Sequence, residues 1–498
     1  MTESNCSSPV QLQARGIESM ESRSSAPSPH LLFVTSPMQG HINPVRRLAA
    51  RVAAAADPRV TISTAVSGHR RMFPTLASPD EEAVDAAGLL HVPFSDGYDE
   101  GFDRSVHDAR SYAARARAAG RETLSGVLAR LADRGRPVTR VVYTFLVGWA
   151  PEVARAHGVP ATLLWIQPAA VFAVYYHCFH GHGAALASCA NDPARDAVVR
   201  LPGLPPLNSR ALPSIVAVTS PEQQGYPVLG ILRDLFLAFD GDSRPTKVLV
   251  NTFDALEPEA LRAIMPGLEF VAVGPVVPDI GASPSSTDLS LCDVDASGYM
   301  EWLDAQAARS VVYVSFGTVF TASRRQELET LQGLKATGRP YLGVLRKVGG
   351  EEGSALDGTD GDGGADDGRQ GMVVEWCDQS RVLSHPAVGC FVTHCGWNSA
   401  LESIASGVPI VAVPQWTDQP TVAWVVEECA GVGVRVAVDG EGVAGRGEIQ
   451  RCVETVMGDG DAALEIRARA ARWMERAKEA VTDGGALERN LQAFLSGL

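Results

Sequence analysis

The sequence predicts an α/β protein built from two parallel sheets, each covered by crossover helices, and three observations carry that expectation. The chain has 498 residues, too many for one comfortable core, which favours two or three domains. From His30 onward short β-rich runs alternate with helical patterns, the signature of parallel strands joined by helices. The runs form two series separated by "VAVGPVVPDIGASPSS" (271–286), whose Pro, Gly and Ser content breaks the periodicity and suits a linker.

In the first series "HLLFVTS" (30–36), "VTISTAV" (60–66), "VTRVVYT" (138–144), "ATLLWIQ" (161–167) and "KVLVNT" (247–252) read as strands. In the second, "SVVYVSFG" (310–317), "PYLGVLRKV" (340–348), "GMVVEW" (371–376), "GCFVTH" (389–394) and "VPIVAVP" (408–414) do so. The expected division is a disordered tail over 1–28, a first domain over 29–270, a linker over 271–290 and a second domain over 291–475. A C-terminal helix over 476–498 is expected to brace one domain on the other, because the stretch 463–495 reads as two helices split at Gly484-Gly485. The Gly- and Asp-rich stretch 349–371 has no apolar period and reads as a solvated loop; it lacks the terminal Glu and flanking helices of a calcium site.

A formal net charge of -15 argues against a partner with a phosphate backbone, which calls for a basic stripe. The nine cysteines are scattered without a C-x-x-C pair, so they read as reduced thiols of a cytoplasmic protein. No stretch approaches the roughly 20 unbroken apolar residues of a membrane span, and the first 28 residues lack the apolar core of a secretory signal. No G-x-G-x-x-G follows any of these strands, which disfavours a nicotinamide-linked oxidoreductase.

Chemistry concentrates where "CFVTHCGWNSALES" (390–403) turns from strand to helix. In an open parallel sheet, ligands bind at the carboxyl ends of strands, where helix N-termini present unpaired N–H groups and the positive end of the macrodipole. Asn398 and Ser399 therefore mark a phosphate seat, Gly396 allows close backbone approach, and His394 offers a further hydrogen bond. The plainer reading is a helix cap, with Ser399 and Glu402 as a capping box. Upstream, Trp376 offers a flat face to a base, with Gln379 in the same loop; downstream, Asp418 and Gln419 suit sugar hydroxyls.

The whole stretch from Trp376 to Gln419, "WCDQSRVLSHPAVGCFVTHCGWNSALESIASGVPIVAVPQWTDQ", resembles the nucleotide-sugar signature box of plant family 1 UDP-glycosyltransferases. The similarity runs from about His30 to the C-terminus. The resemblance implies a GT-B fold, in which two Rossmann-like domains face each other across a cleft and the second binds the donor. It puts Trp376 on the uracil ring with Cys377 beside it, and Gln379 and Glu402 on the ribose hydroxyls. His394, Asn398 and Ser399 then hold the two phosphates, Thr318 touches the diphosphate, and Trp397, Asp418 and Gln419 hold the hexose. A Gln closing the box goes with UDP-glucose as donor. Asp378 stands where the family usually has Pro, which is expected to loosen the loop, and Val422 stands where it often has Asn.

"TSPMQGHINP" (35–44) follows the first strand, with Gly40 freeing the turn and Pro44 suited to the first turn of a helix. A lone loop His is commonly structural, but by the resemblance His41 matches the general base that takes the acceptor's proton while UDP leaves in a single, inverting displacement. Histidine suits the task because its pKa lies near working pH. Where the family places an Asp to orient this His, the chain has Thr144, which either contacts His41 or the acceptor or is a strand residue without a role. An ionised carboxylic acid needs less help from a base than a phenol does, so this departure leans toward ester formation.

The region from Tyr143 to Gly181 resembles the branch of indole-acetate, abscisate, crocetin and anthocyanin 5-O-glucosyltransferases, which includes both chemistries. "YYHCFHGH" (175–182) reads as a wall of the acceptor pocket or a helix end rather than a metal site. The expectation is thus a monomeric, metal-independent UDP-glucose-dependent glucosyltransferase acting on a small hydrophobic phenol or carboxylic acid. The alternative is a UDP-sugar-binding protein that lost turnover with the Asp.

Overall fold

A computed structural model of the protein describes residues 28–55, 58–103, 105–192, 194, 196–223, 225–241, 246–263, 265–277, 298–317, 323–344 and 370–497. Thr318, nearly all of the tail 1–28, most of the linker 271–290 and nearly all of the stretch 349–371 lie outside the described residues.

The first half contributes β1 (His30–Thr35), β2 (Arg59–Thr64), β3 (Ala83–Val84), β4 (Leu90–His91), β5 (Arg140–Thr144) and β6 (Ala161–Trp165). After a two-stranded hairpin, β7 (Val198–Val199) and β8 (Leu207–Asn208), come β9 (Thr246–Val250) and β10 (Leu268–Ala272). The first sheet has the order β10-β9-β6-β5-β1-β2-β4-β3 and is parallel except at its β3–β4 edge. The second half contributes β11 (Val311–Ser315), β12 (Tyr341–Val344), β13 (Gly371–Val374), β14 (Val388–Thr393), β15 (Ile410–Ala412) and β16 (Gly433–Arg435). Their order, β13-β12-β11-β14-β15-β16, is the doubly wound order of a mononucleotide-binding sheet.

Strands covered on both faces read as unbroken apolar runs, and Leu31, Leu32, Phe33 and Val34 of β1 are all buried, as are Cys390, Phe391 and Val392 of β14. Each sheet reverses its winding once, at β1/β5 in the first and β11/β14 in the second, and leaves a crevice there at the strands' carboxyl ends. Both crevices open onto one cleft of 3330 Å³, lined by His41, Phe145 and Trp149 on one side and by Trp376, His394 and Asn398 on the other.

The C-terminal helices span Asp461–Val481 and Ala486–Leu495 and separate at Gly484, which takes the left-handed φ of 71°. The second returns to the first sheet: Asn490 Nδ2 donates to the carbonyl of Ala272 at 2.9 Å, and Arg140 lies over the Phe494 ring. Neither the short strands β3, β4, β7, β8 and β16 nor β10 is expected from the apolar pattern. Most are two or three residues long, and β10 is only partly covered. Among the described residues no helix is long and apolar enough to cross a membrane.

Candidate active site

His41 enters the first crevice from the opening turn of the helix Gln39–Ala55, which follows β1. Its Nδ1 lies 3.3 Å from Thr144 Oγ1 at the end of β5, and that oxygen lies 3.2 Å from Thr35 Oγ1 at the end of β1. The two strands adjacent at the winding reversal thus each give a hydroxyl to one chain of contacts. The imidazole also packs against Phe145, with ring centres 5.0 Å apart. Burial drives its pKa down to about 3, far below the near-working-pH value expected from the sequence, so the ring is neutral but a weaker proton acceptor than that expectation assumed. In the tautomer whose Nδ1–H donates to Thr144, Nε2 keeps its lone pair for a proton.

Pro44 lies inside the helix, one turn beyond the opening position expected for it. A proline has no N–H, so the carbonyl of Gly40, four residues back, has no intrahelical partner. Asn398 fills that vacancy from the second domain, its Nδ2 donating to Gly40 O at 2.7 Å. The residue beside the candidate base is therefore bonded directly to the candidate donor helix. Asn398 Oδ1 is buried without a partner in the protein, and the residue lines the cleft.

The second crevice begins where β14 ends at Thr393. His394 comes next, then Cys395 at a φ of 62°, a left-handed conformation that costs a non-glycine residue energy and turns the chain sharply. Gly396 opens the helix Trp397–Ser406 with no side chain capping it. A Cβ on Gly396 would fall 2.6 Å from the His394 ring, and one on Gly317, after β11, 2.7 Å from it. Two glycines thus make room for one imidazole, whose pKa burial lowers to about 4.

The capping-box reading does not hold, because Ser399 and Glu402 bond elsewhere. Gln379 Nε2 donates to Ser399 Oγ at 3.1 Å and to Glu402 Oε2 at 2.7 Å. The first turn of the helix therefore keeps its N–H groups for an anion.

Gln379 opens the helix Gln379–Leu383, and Asp378 caps it, accepting from the backbone N–H of Ser380 and Arg381 at 3.1 and 3.1 Å. Asp378 in place of Pro therefore tightens this turn where a looser one was expected. Trp376 is half-buried after β13 and lines the cleft. Cys377 is buried against the Tyr313 hydroxyl, with its thiol pushed up to about 12, so it is inert.

Asp418 and Gln419 close the site. Gln419 Oε1 accepts from the backbone N–H of Gln415 and Trp416, which turns its amide donors outward. Burial pushes the Asp418 carboxyl up to about 6, and Thr417 donates to it at 2.8 Å. The Trp397 indole N–H donates to the Asn251 carbonyl of the first domain at 2.7 Å, so the polar atom of this side chain joins the two halves.

Tyr175–His182 does not line the cleft among the described residues. There His177 bonds to the Pro202 carbonyl, and His180 stacks on Tyr176 and pairs with Asp240.

Sequence reasoning missed Arg47, whose Nη1 donates to Glu402 Oε1 at 2.8 Å across the domains, and Ser214, which exchanges bonds with Thr417. The available signal was the Arg46-Arg47 pair inside a helix that otherwise buries one face.

A profile of the family described as UDP-glucoronosyl and UDP-glucosyl transferase matches residues 291–460. UDP-glycosyltransferase 75C1 of Solanum lycopersicum is 42% identical over 94% of this chain and 98% of its own. The crocetin glucosyltransferase of Gardenia jasminoides is 42% identical over 94% of this chain and 96% of its own. The crystal structure of Os79 from O. sativa in complex with UDP superposes with a TM-score of 0.77 at 32% identity, covering 94% of this chain and 99% of that one. With that identity over almost the full length of both chains, and with two Rossmann-like halves facing across a cleft, this chain belongs to the UDP-glycosyltransferases and is an enzyme of the GT-B fold.

Proposed function

We propose that the enzyme transfers glucose from UDP-glucose to a hydroxyl or carboxyl group of a small hydrophobic metabolite, inverting the anomeric carbon. The observation that carries this reading is the direct bond from Asn398 to Gly40, which brings the uncapped helix Trp397–Ser406 against the turn bearing His41. In this reading the uracil lies on Trp376, the ribose hydroxyls meet Gln379 and Glu402, and the phosphates meet His394, Ser399 and the helix N-terminus. The Gln419 amide and Asp418 face the hexose, and Asn398 sits beside the phosphates.

The acceptor oxygen attacks the anomeric carbon from the His41 side as the bond to the UDP oxygen breaks. The acceptor's proton passes to His41 Nε2, and the displaced electron pair leaves on UDP. Helix dipole and fixed donors stabilise the charge growing on the diphosphate, so the step proposed here uses no metal. Thr144 orients the imidazole as a neutral acceptor, which supports the developing imidazolium less than a carboxylate would. Acidic acceptors therefore suit this site best: a carboxylic acid, or a phenol of lowered pKa. Phe94, Phe145, Trp149, Ile166, Leu235 and Trp416 line the acceptor side with apolar surface. The named relative that acts on crocetin supports a small-metabolite acceptor, and the proposed setting is a monomer in the cytoplasm.

The test is mass-spectrometric detection of hexose transfer from UDP-glucose to a panel of phenols and carboxylic acids, run beside His41→Ala. Product that disappears in the variant supports the reading, and its lability to mild alkali separates ester from glycoside. Tight UDP-glucose binding with no product from any acceptor would favour a binding protein instead.

A further inference from the structure

The helix Gln39–Ala55 holds a second enclosed group whose partner belongs to the donor side. Arg47 is 7% exposed, and the Glu402 carboxylate it meets at 2.8 Å is 8% exposed. Arg47 Nη1 also lies 3.4 Å from the carbonyl of Val276. One turn further along, Arg51 donates to the carbonyls of Pro275 and Val277 at 3.2 and 3.2 Å. One helix is thus fastened to the donor helix and to the segment leaving the first domain.

A buried ion pair is weak evidence for stability, because the cost of desolvating both charges offsets their attraction, and two apolar side chains would pack as well. What such a pair supplies is direction. Arg47 takes Glu402 Oε1, and Gln379 takes Oε2 at 2.7 Å, so the carboxylate is fixed at both oxygens while further lone pairs stay open to hydroxyl donors. Asn398, one turn earlier on the same helix face, is held by Gly40 of the same partner helix.

We infer that Arg47 is a positioning residue for the donor: it aims Glu402 at the ribose hydroxyls and so ties nucleotide recognition to the helix that carries His41. The inference rests on the proposed assignment of Gln379 and Glu402 to the ribose. By linkage, a bound ribose and a seated helix favour each other, so the donor helps hold the base in place.

Calorimetric binding of UDP and of its dideoxy analogue, which lacks both ribose hydroxyls, tests this in the wild type, Arg47→Met and Arg47→Lys. The wild type prefers UDP. Arg47→Met weakens UDP binding by about tenfold but changes binding of the analogue by no more than about twofold, so the preference collapses. Arg47→Lys, which keeps a cation of shorter reach, falls between and carries the test if the methionine variant does not fold. An unchanged preference in the variants overturns the inference and leaves Arg47 as a clamp between domains. A wild type that binds both nucleotides alike removes the ribose assignment itself, and the inference with it.

Discussion

The two crevices sit at the winding reversals of their sheets, yet their polar groups are held by different means. The donor crevice is polar and cross-braced: Gln379, Ser399, Glu402 and Arg47 form one connected network, and Asp378 caps the turn that supplies Gln379. The acceptor crevice sets Phe94, Phe145, Trp149 and Leu235 around His41, Thr144 and Thr35, which stand in a file of long contacts at 3.3 and 3.2 Å, while charged residues such as Asp96, Arg117 and Glu152 line the same side. The difference follows from what each side must hold. A nucleotide diphosphate presents fixed hydroxyls and charges that reward a rigid donor and acceptor set. The acceptor offers one reactive oxygen on an apolar body, so area and a single neutral base suffice.

This contrast predicts that substitutions in the two crevices divide between rate and binding. His41→Ala has the largest expected effect, lowering the transfer rate by about a hundredfold or more. Gln379→Ala, which releases Ser399 Oγ and Glu402 Oε2 while Arg47 still holds Oε1, raises the KM for UDP-glucose about tenfold while kcat changes little, as steady-state kinetics would record. If Gln379→Ala lowers kcat as strongly as His41→Ala does, the two sides are not separable in this way.

Thr144→Val removes the hydroxyl beside His41 at nearly constant volume and is expected to cost about 1 kcal/mol, close to fivefold in kcat/KM. Thr144→Asp sharpens the same point, since a carboxylate there stabilises the imidazolium and speeds transfer to weakly acidic phenols more than to carboxylic acids. Equal rate changes for both acceptor classes would detach Thr144 from the proton transfer. On the donor side, Asp378→Ala loses a helix cap and lowers stability by about 1 kcal/mol, measurable by chemical denaturation.

The titration of the crevices gives a further sign. Burial lowers the pKa of His41 from 6.5 to about 3 and of His394 to about 4, so between those values and 6.5 the unfolded chain binds more protons than the folded one. Their contribution to stability is complete above 6.5 and is lost as pH falls toward 4 and then 3. Asp418 acts oppositely, its carboxyl raised from 3.8 to about 6, so it favours the fold at acid pH and loses that contribution as pH rises through 6. Denaturant midpoints between neutral and mildly acid pH would therefore fall less steeply in His41→Gln than in the wild type.

The donor crevice was legible because its residues lie within one stretch, Trp376 to Gln419, where strand ends and helix starts follow each other in the chain. The strands read from β-rich runs are mostly covered on both faces, which demands apolar residues; β13, at a sheet edge with Val373 exposed, is the exception. β3, β4, β7, β8 and β16 are too short to show a period. What joins the halves was not legible. Pro44 looks like the start of a helix until its missing N–H is matched with the bond that Asn398 gives Gly40 across 358 residues. Arg47 looks like an ordinary helix residue until Glu402 is placed beside it. Asp378 was misread because a departure from Pro says which rigid element is lost, whereas its capping role depends on the N–H groups that follow.

The central claim is that His41 serves the chemistry while the second domain holds the nucleotide, and one paired measurement reaches it most directly. Hexose transfer and UDP affinity are recorded on the same preparations of wild type and His41→Ala. The account predicts transfer lowered by about a hundredfold or more with UDP affinity within about twofold of wild type. Transfer that persists at the wild-type rate in His41→Ala would contradict it.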